Sequence, residues 1–495
     1  MRCFFISLLF LLAFSFTSRS QSPEELVKTL ESAVKQRDPS IIKPFLSTDF
    51  RVHVYVIPQA YGMMENLFKN YKALDRFEYL GDEKSVNGST VKFKCFFENA
   101  KEFESVLLLD SLGKIERIRY LDQLYGLNSD KESALVASIP FVFRDKKIIV
   151  KMKLNESPRE LNMLFDTGAD GVGMKKGTAD AVGLVETRKQ QTSVVGASTE
   201  IVISSGNTLK FDSLQIKNQN IGIFPSYQDD LDGLFGANFL HNYITYIDFD
   251  NSVIRLYSLG SFKYPEGGSF VPMVYDTGLP GIVSRVKLNS GKEITGKFHF
   301  DTGAGYPLIL FSPFVGKNDL EKDFKIQSRS VNYSFGHQTP TVLGIFDHVQ
   351  IGKYTIPHFS GTLQSSDGKE NWNVEGDGSL GMDIIKKFNC IINVLDLKIY
   401  LIPNKSFTEP LDFWLGPVMF GVKNGNLVVR SIIPGSLPGI DLKLNDGISS
   451  INGKEVKDLC DINSILQLEN DYRYNEIELI VNRNDLEFKL SMPKK

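Results

Sequence analysis

The stretches LFDTGAD (residues 164–170) and FHFDTGAG (298–305) decide the fold, because each places the tetrapeptide DTGA after an apolar strand-like run. In both, the tripeptide Lys-Leu-Asn and a polar turn come first. This tripeptide begins 13 residues before Asp166 and 14 residues before Asp301. Repetition at matched offsets indicates an internal duplication rather than two chance occurrences.

A second pair of matching stretches extends the repeat. DGLFGANFL (232–240) and DGSLGMDII (377–385) each begin Asp-Gly, reach another glycine three residues later, and continue into a short helix-like stretch and two strands. Turn residues recur every ~8–12 residues throughout this part of the chain, as in β-sandwiches and barrels. The sequence therefore predicts two strand-rich lobes, over residues 135–260 and 261–405.

The repeated aspartates point to acid–base chemistry. Two carboxyl groups a few ångströms apart share one proton, which supplies the base and the acid that peptide hydrolysis by water requires. Asp166 and Asp301 are the predicted catalytic pair. Threonine hydroxyls can link the two loops, and glycine allows their backbones to approach closely. The predicted supporting residues are Thr167, Gly168, Thr302 and Gly303.

The motif DTG occurs a third time, at 276–278. Its glycine is not followed by alanine, and aligning the repeats sets Asp276 opposite Asp145, before the first strand of a lobe. We therefore interpret Asp276 as a turn residue.

The duplicated DTGA motifs and the later Leu-Phe-Gly (234–236) and Ser-Leu-Gly (379–381) pieces resemble the aspartic proteases of the pepsin and retropepsin kind. The resemblance covers roughly residues 137–403. It implies a bilobal, mainly β fold, catalysis by Asp166 and Asp301, protein or peptide substrates, and no metal or cofactor. Pairing of a lobe with a lobe of another chain, as in retropepsins, is an alternative that two tandem copies disfavour.

Alanine follows the glycine in both motifs, at Ala169 and Ala304. Many pepsin-like enzymes carry serine or threonine there, whose hydroxyl donates to the carboxylate. Losing a donor to the charged form raises the pKa of a carboxyl. We therefore expect activity closer to neutral pH than in pepsin-like enzymes.

Two segments are candidate flaps over the substrate, SVVGASTE (193–200) and NYSFGHQT (332–339). Tyr333 or Phe335 could close over a peptide, although packing between strands is the commoner use of an aromatic side chain. His337 lies in the same loop without a partner nucleophile, and we interpret it as a surface residue.

The N-terminal residues favour export. Arg2, an apolar run over 3–16 and small residues at Ser18 and Ser20 form a secretory signal peptide, which predicts a secreted or periplasmic protein. An uncleaved anchor is the alternative. No later run is long enough for a transmembrane segment. The net charge of −3 gives no basic field for nucleic acid.

Two further modules flank the repeat. Residues 21–130 begin with a helical stripe of Leu26, Leu30 and Val34, and strand-like runs follow, which predicts an α+β domain. The pattern loosely resembles the cone-shaped nuclear-transport-factor-2-like fold. A packing or interaction role is the simplest interpretation. The cysteines outside the signal peptide are Cys95, Cys390 and Cys460; their odd number and wide spacing favour buried thiols.

Residues 410–494 resemble a PDZ domain, with a Pro-Gly-rich crossing and the turns of LNDGISSING (444–453). The resemblance implies a groove that binds a C-terminal peptide as an added strand. A buried strand is the alternative for the predicted binding loop. The residues predicted for that loop are Met419, Phe420, Gly421 and Val422.

Together these patterns predict an exported aspartic endopeptidase with a peptide-recruiting module, an arrangement similar to bacterial envelope proteases. The alternative is a non-catalytic peptide-binding protein of the envelope, in which the lobes only support the PDZ-like groove. The intact motif in both lobes disfavours the alternative, because a decayed site would have lost one carboxylate.

Overall fold

The computed structural model shows a mainly β protein that divides into two compact units, Met1–Asn128 and Ser129–Lys495. The predicted signal peptide and Cys460 lie outside the described residues. Within them, no helix combines the length and the apolar character needed to cross a bilayer. The structure describes residues 21–70, 74–86, 88–99, 101–124, 131–194, 197–225, 230–275, 278–334, 337–365, 376–423, 426–455 and 475–494.

The first unit packs helices against a six-stranded sheet of order β2-β1-β6-β5-β4-β3. Ser22 and Glu25 form a capping box that starts the first helix, and the predicted stripe of Leu26, Leu30 and Val34 is buried. The elements are α1 (Pro23–Gln36), β1 (Leu46–Val52), β2 (Tyr55–Val56), α2 (Gln59–Asn70), β3 (Leu74–Ser85), β4 (Gly88–Phe97), β5 (Glu102–Leu109), β6 (Ile115–Ile118) and α3 (Arg119–Leu124).

One strand-like run of this unit is shorter than its pattern predicts. The run over 113–122 forms a strand only as far as Ile118, and α3 follows. Asp122 in this helix pairs with Arg117 inside the unit, at 2.6 Å, and also accepts the backbone N–H of His53. A buried carboxylate needs such partners, and Asp122 has them in the helix that follows β6.

The first lobe begins the second unit, and its strands surround the first DTGA loop. A short 3₁₀ helix, Ala237–His241, follows β14. The elements are β7 (Leu135–Arg144), β8 (Lys147–Leu154), β9 (Leu161–Asp166), β10 (Val172–Lys175), α4 (Lys176–Ala181), β11 (Arg188–Val194), β12 (Ala197–Lys210), β13 (Gln215–Phe224), β14 (Gly233–Gly236), β15 (Tyr243–Asp248) and β16 (Val253–Ser258).

The second lobe repeats this order with larger helical insertions after the strand that follows the DTGA loop. The elements are β17 (Ser269–Val274), β18 (Gly281–Leu288), β19 (Glu293–Phe300), β20 (Leu308–Leu310), α5 (Ser312–Lys317), α6 (Leu320–Asp323), β21 (Ile326–Ser334), β22 (His337–Ile351), β23 (Tyr354–Gln364), β24 (Gly378–Leu380), α7 (Met382–Ile385), β25 (Phe388–Asn393) and β26 (Lys398–Pro403).

A shared sheet joins the two lobes along their symmetry relation. β15 of the first lobe pairs antiparallel with β25 of the second, with Tyr246 opposite Ile391. Outside this pair, β16 and β26 lie next, and β7 and β17 complete the sheet. The first strand of each lobe then leaves this sheet and joins its own lobe, so that both DTGA loops are held from one common platform.

The C-terminal module is a β-sheet of order β27-β28-β29-β30-β32-β33, with β31 paired to β30. The predicted Asn-Gly turn is confirmed, since Asn452 and Gly453 both have positive φ between paired Ile451 and Lys454. The elements are β27 (Phe413–Leu415), β28 (Val418–Lys423), β29 (Asn426–Ile432), β30 (Gly447–Ile451), β31 (Lys454–Glu455), β32 (Glu476–Arg483) and β33 (Leu486–Pro493).

The prediction of a binding loop at residues 418–422 is wrong, because this segment is strand β28, which pairs with β29 and, over residues 418–420, also with β27. Phe420 is fully buried in the core of the module, and Val422 packs against that core. Gly421 lies against Asp412, where a Cβ would clash with the carboxylate. The apolar alternation of a core strand explains this placement. Met419, which is half-buried, lines a cavity.

Lys146 ties three parts of the second unit together. It sits in the turn between β7 and β8, and its ammonium lies 2.6 Å from Asp383 of α7 and 3.1 Å from Asp412 before β27. Burial opposes the charge of Lys146, but the two carboxylates outweigh it and raise the pKa of Lys146. The first lobe, the second lobe and the C-terminal module therefore meet at one ionic contact.

Candidate active site

Each predicted catalytic aspartate ends or follows a strand that is held by a parallel neighbour. Asp166 ends β9 and lies opposite Gly236 of β14. Asp301 directly follows β19, and its backbone N–H donates to the carbonyl of Leu380 in β24 at 2.9 Å. The apolar-glycine pieces recognised in the sequence are thus the strands beside the two aspartate loops, and they fix where each loop emerges.

The two loops meet through their threonines. The backbone N–H of Thr167 donates to the hydroxyl of Thr302, and the N–H of Thr302 donates to the hydroxyl of Thr167, both at 3.0 Å. Each hydroxyl in turn donates to the carbonyl before the opposite aspartate, Phe300 or Phe165. Both threonines are fully buried, so these four reciprocal bonds lock the separation of the loops.

The glycines explain how the carboxyls come so close. A Cβ on Gly168 would clash with the carboxyl group of Asp301, and a Cβ on Gly303 would clash with that of Asp166. Each glycine N–H also donates to the Oδ1 atom of its own lobe's aspartate, at 2.8 Å and 2.9 Å. The predicted supporting residues therefore surround the pair, and each glycine faces the carboxyl of the other lobe.

The carboxyls of Asp166 and Asp301 face each other across the two loops, and both residues are half-buried. Burial, and then the charge of Asp301, raise the pKa of Asp166 well above its usual range, although the backbone amides of Gly168 and Ala169 act in the opposite direction. A carboxyl in this state keeps its proton beside an ionised partner. The arrangement can therefore offer one acid and one base at the same point.

Ser379 is a member of the site that motif reasoning missed. Its hydroxyl donates to Oδ2 of Asp301 at 2.9 Å, and the side chain is 2% exposed. The absence of hydroxyls at Ala169 and Ala304 therefore does not leave both carboxyls without a side-chain donor, and that premise of the pH expectation is wrong for Asp301. The available signal was the polar residue in Ser-Leu-Gly, where the first lobe has Leu-Phe-Gly.

Tyr306 lies beside the same group. The pKa of its phenol is raised by burial and by the charge of Asp301, whereas Ser379 acts in the opposite direction. Tyr306 also lines a cavity of about 400 Å³ between the second lobe and the C-terminal module. The other walls come from β21–β23 and from Trp414, Met419 and residues 431–434.

The remaining sequence candidates are placed as follows. The candidate flaps correspond to the hairpins β11–β12 and β21–β22, whose tips at 195–196 and 335–336 lie outside the described residues. Asp276, Phe335 and the side chains of Tyr333 and His337 also lie outside them. In the part of the chain that the structure describes, no group of three or more His, Cys, Asp or Glu side chains could hold a metal ion. Cys95 and Cys390 are buried thiols.

Comparison with known proteins connects this geometry to a family. Residues 150–239 match the family model described as aspartyl protease. This part of the chain is therefore similar in sequence to aspartyl proteases. Among solved structures, the aspartic proteinase from Irpex lacteus aligns with 55% of this chain and 98% of its own, at 14% identity and a TM-score of 0.37. No curated protein matches the sequence.

Proposed function

We propose that this protein is an aspartic endopeptidase in which Asp166 and Asp301 hydrolyse peptide bonds directly with water. One carboxylate takes a proton from the water while the water oxygen bonds to the scissile carbonyl carbon. The protonated carboxyl donates its proton to the carbonyl oxygen. The resulting tetrahedral intermediate collapses as the C–N bond breaks and the leaving nitrogen is protonated. No covalent enzyme intermediate and no metal ion enter this scheme.

The observation that carries the proposal is the closely apposed, half-buried carboxyl pair where two duplicated loops meet and bond reciprocally. An aspartate pair with no catalytic role would only lower the stability of the fold, because two adjacent, partly desolvated carboxyls destabilise each other's charge. The reciprocal threonine bonds hold this unfavourable pair in place. Such a device is expected where the shared proton is used.

Cleavage of casein or a fluorogenic peptide library by the protein lacking residues 1–20 tests the proposal. Asp166→Asn and Asp301→Asn should each lower kcat/KM by about 10³-fold or more, since each removes one proton-transfer group. The asparagine side chain preserves volume, so circular dichroism should show an unchanged fold. Cleavage retained in either variant would contradict the assignment, and an inert wild type over a broad pH range would favour the peptide-binding alternative.

For the C-terminal module we propose a role in holding peptides beside the catalytic pair. Trp414 and Met419 bring apolar surface to the 400 Å³ cavity, whereas the second lobe contributes Ser328, Ser330 and Asn332. The Trp414 indole nitrogen is buried with no hydrogen-bond partner among the described residues. A peptide could place an apolar side chain on the module and a backbone carbonyl within reach of the indole N–H.

Trp414→Phe tests this role, because it keeps a ring and removes the N–H. We expect KM for peptide substrates to rise about 5- to 20-fold with little change in kcat. Phe270→Leu is the control, because it changes an exposed aromatic side chain on β17, and it should leave KM unchanged. An unchanged KM in Trp414→Phe would remove the module from substrate binding.

Export remains a proposal that is supported by the sequence pattern of residues 1–20. Expression of the full chain in a secretory host should yield a mature N-terminus near Gln21. N-terminal sequencing of the exported protein checks this. A protein that retains residues 1–20 in the membrane fraction would support the uncleaved anchor instead.

A further inference from the structure

The two halves of the catalytic pair are not equivalent, and the difference lies in the strands beside them. Ser379 of β24 corresponds in the repeat to Leu234 of β14. Ser379 lies opposite Ile309 in its ladder, whereas Leu234 lies opposite Gly173. The second lobe thus carries a small hydroxyl side chain at the position where the first lobe carries a leucine.

The hydroxyl makes the surroundings of the two carboxyls unequal. Oδ1 of Asp301 accepts the N–H of Gly303, and Oδ2 accepts the hydroxyl of Ser379. Asp166 accepts hydrogen bonds from backbone amides of its own loop. Leu234 offers no donor; it packs with Ile149, Leu164 and Leu231. The carboxyl with the extra donor is the one that the site best stabilises as an anion.

We propose that Ser379 is a positioning residue that fixes the division of labour in the pair, making Asp301 the ionised base and Asp166 the proton-bearing acid. Asp301 then takes the proton of the attacking water, and Asp166 gives its proton to the carbonyl oxygen. When the C–N bond breaks, the leaving nitrogen takes the proton from Asp301, and Asp166 recovers one from the intermediate. This inference rests on the proposed function, but its first premise concerns only the free protein.

The groups around Asp301 support the same direction. From the first lobe, the titratable group that faces it is Asp166, and from its own lobe it is Tyr306. Burial and the charges of both aspartates raise the pKa of the Tyr306 phenol, so the phenol stays neutral and adds no negative charge beside Asp301. The hydroxyl of Ser379 therefore donates to the Asp301 carboxylate without a competing charge from Tyr306.

The pH profile of kcat/KM in Ser379→Ala tests the inference. Removing a donor to the charged form should move the acid limb to higher pH by about one unit and leave the alkaline limb in place. Ser379→Thr keeps the hydroxyl and should restore the acid limb to its wild-type position. Ser379→Cys keeps a similar shape but has a weaker S–H donor, so it should shift the acid limb in the same direction by a smaller amount. It is the alternative variant if Ser379→Ala does not fold.

Ser284→Ala is the matched control. Ser284 is also a buried serine on a strand of the second lobe, 2% exposed, but its hydroxyl has no hydrogen-bond partner among the described residues. Its removal should leave both limbs unchanged. An unmoved acid limb in folded Ser379→Ala, or an equal shift in Ser284→Ala, would overturn the inference while leaving the proposed function intact.

A second measurement does not depend on activity. Carboxyl carbons of ¹³C-labelled aspartate report the two macroscopic deprotonation steps of the pair by NMR. In the wild type the first step should appear chiefly at the Asp301 carbon, with the signals assigned from Asp166→Asn and Asp301→Asn. In Ser379→Ala this step should move to higher pH by about one unit. A first step at Asp166, or no displacement in the variant, would overturn the inference even in an inactive protein.

Discussion

The two lobes build their aspartate loops with the same backbone and nearly the same bonds, yet they deliver chemically different carboxyls. The glycine amides, the reciprocal threonines and the parallel neighbouring strands are matched on both sides. The second lobe has the hydroxyl of Ser379 beside its aspartate, whereas the first lobe has the apolar side chain of Leu234 at the matching position. A duplicated scaffold thus secures the geometry, and one side chain beside it is enough to differentiate the roles.

The close approach of the two loops, which both lobes share, can be tested at the glycines. Gly168→Ala and Gly303→Ala each drive a methyl group into the carboxyl of the opposite lobe, so the pair must separate. We expect both variants to lose at least about 10²-fold in kcat/KM, and to comparable extents. Gly171→Ala is the control, because a Cβ there meets nothing within 4 Å. Near-wild-type rates in either loop variant would show that the close approach is dispensable.

The lobes also differ in sequence at the turn that carries Lys146, because the repeat alignment sets Thr277 opposite this lysine. Lys146→Met leaves Asp383, which is almost fully buried, without its nearest cation. We expect a loss of about 3 kcal/mol in the free energy of unfolding, measured by urea denaturation. Lys151→Met removes only an exposed pair with Glu160 and should change stability by less than about 1 kcal/mol. Equal effects would contradict a structural role for the Lys146 contact.

The difference between the two carboxyls can be tested by giving the first lobe a hydroxyl at the position that matches Ser379. If the serine of Leu234→Ser reaches Asp166 as Ser379 reaches Asp301, it stabilises the charged form. The raised pKa of Asp166 then falls, and the alkaline limb of kcat/KM moves to lower pH by up to about one unit. Leu234→Ala, with the same truncation and no hydroxyl, should not show this shift. An alkaline limb that moves equally in both variants would assign the effect to lost packing.

A smaller difference concerns the segment after each apolar-glycine piece, where the first lobe carries His241. Burial lowers the pKa of His241 to about 4 from an ordinary value of 6.5. Below pH 6.5 the unfolded chain therefore binds a proton that the folded chain refuses, and stability falls as the pH decreases from about 6.5 towards 4. We expect a loss of up to about 2 kcal/mol at pH 5, which His241→Gln should reduce. Thermal unfolding at pH 5 and 7.5 checks this.

Much of the site could be predicted from sequence because duplication repeats its signals at matched spacing. The loops, their glycines and threonines, and the strands that support them all follow from short local patterns such as LFDTGAD and DGLFG. The role of Ser379 could not be predicted, because a serine within a buried strand belongs to no motif. Its hydrogen bond is to a carboxylate 78 residues earlier in the chain, which only the folded structure brings close. The C-terminal strand β28 was misjudged because the alternation of Val418, Phe420 and Val422 serves a core strand as well as a groove.

Mixing the two inactive aspartate variants tests most directly the central claim that one chain assembles one catalytic pair. Equimolar Asp166→Asn and Asp301→Asn proteins are assayed for peptide cleavage, with the wild type at the same concentration beside them. If each pair forms within a chain, the mixture should remain as inactive as either variant alone. Recovery of activity on mixing would contradict this claim, because it would show that loops of different chains combine to make the site.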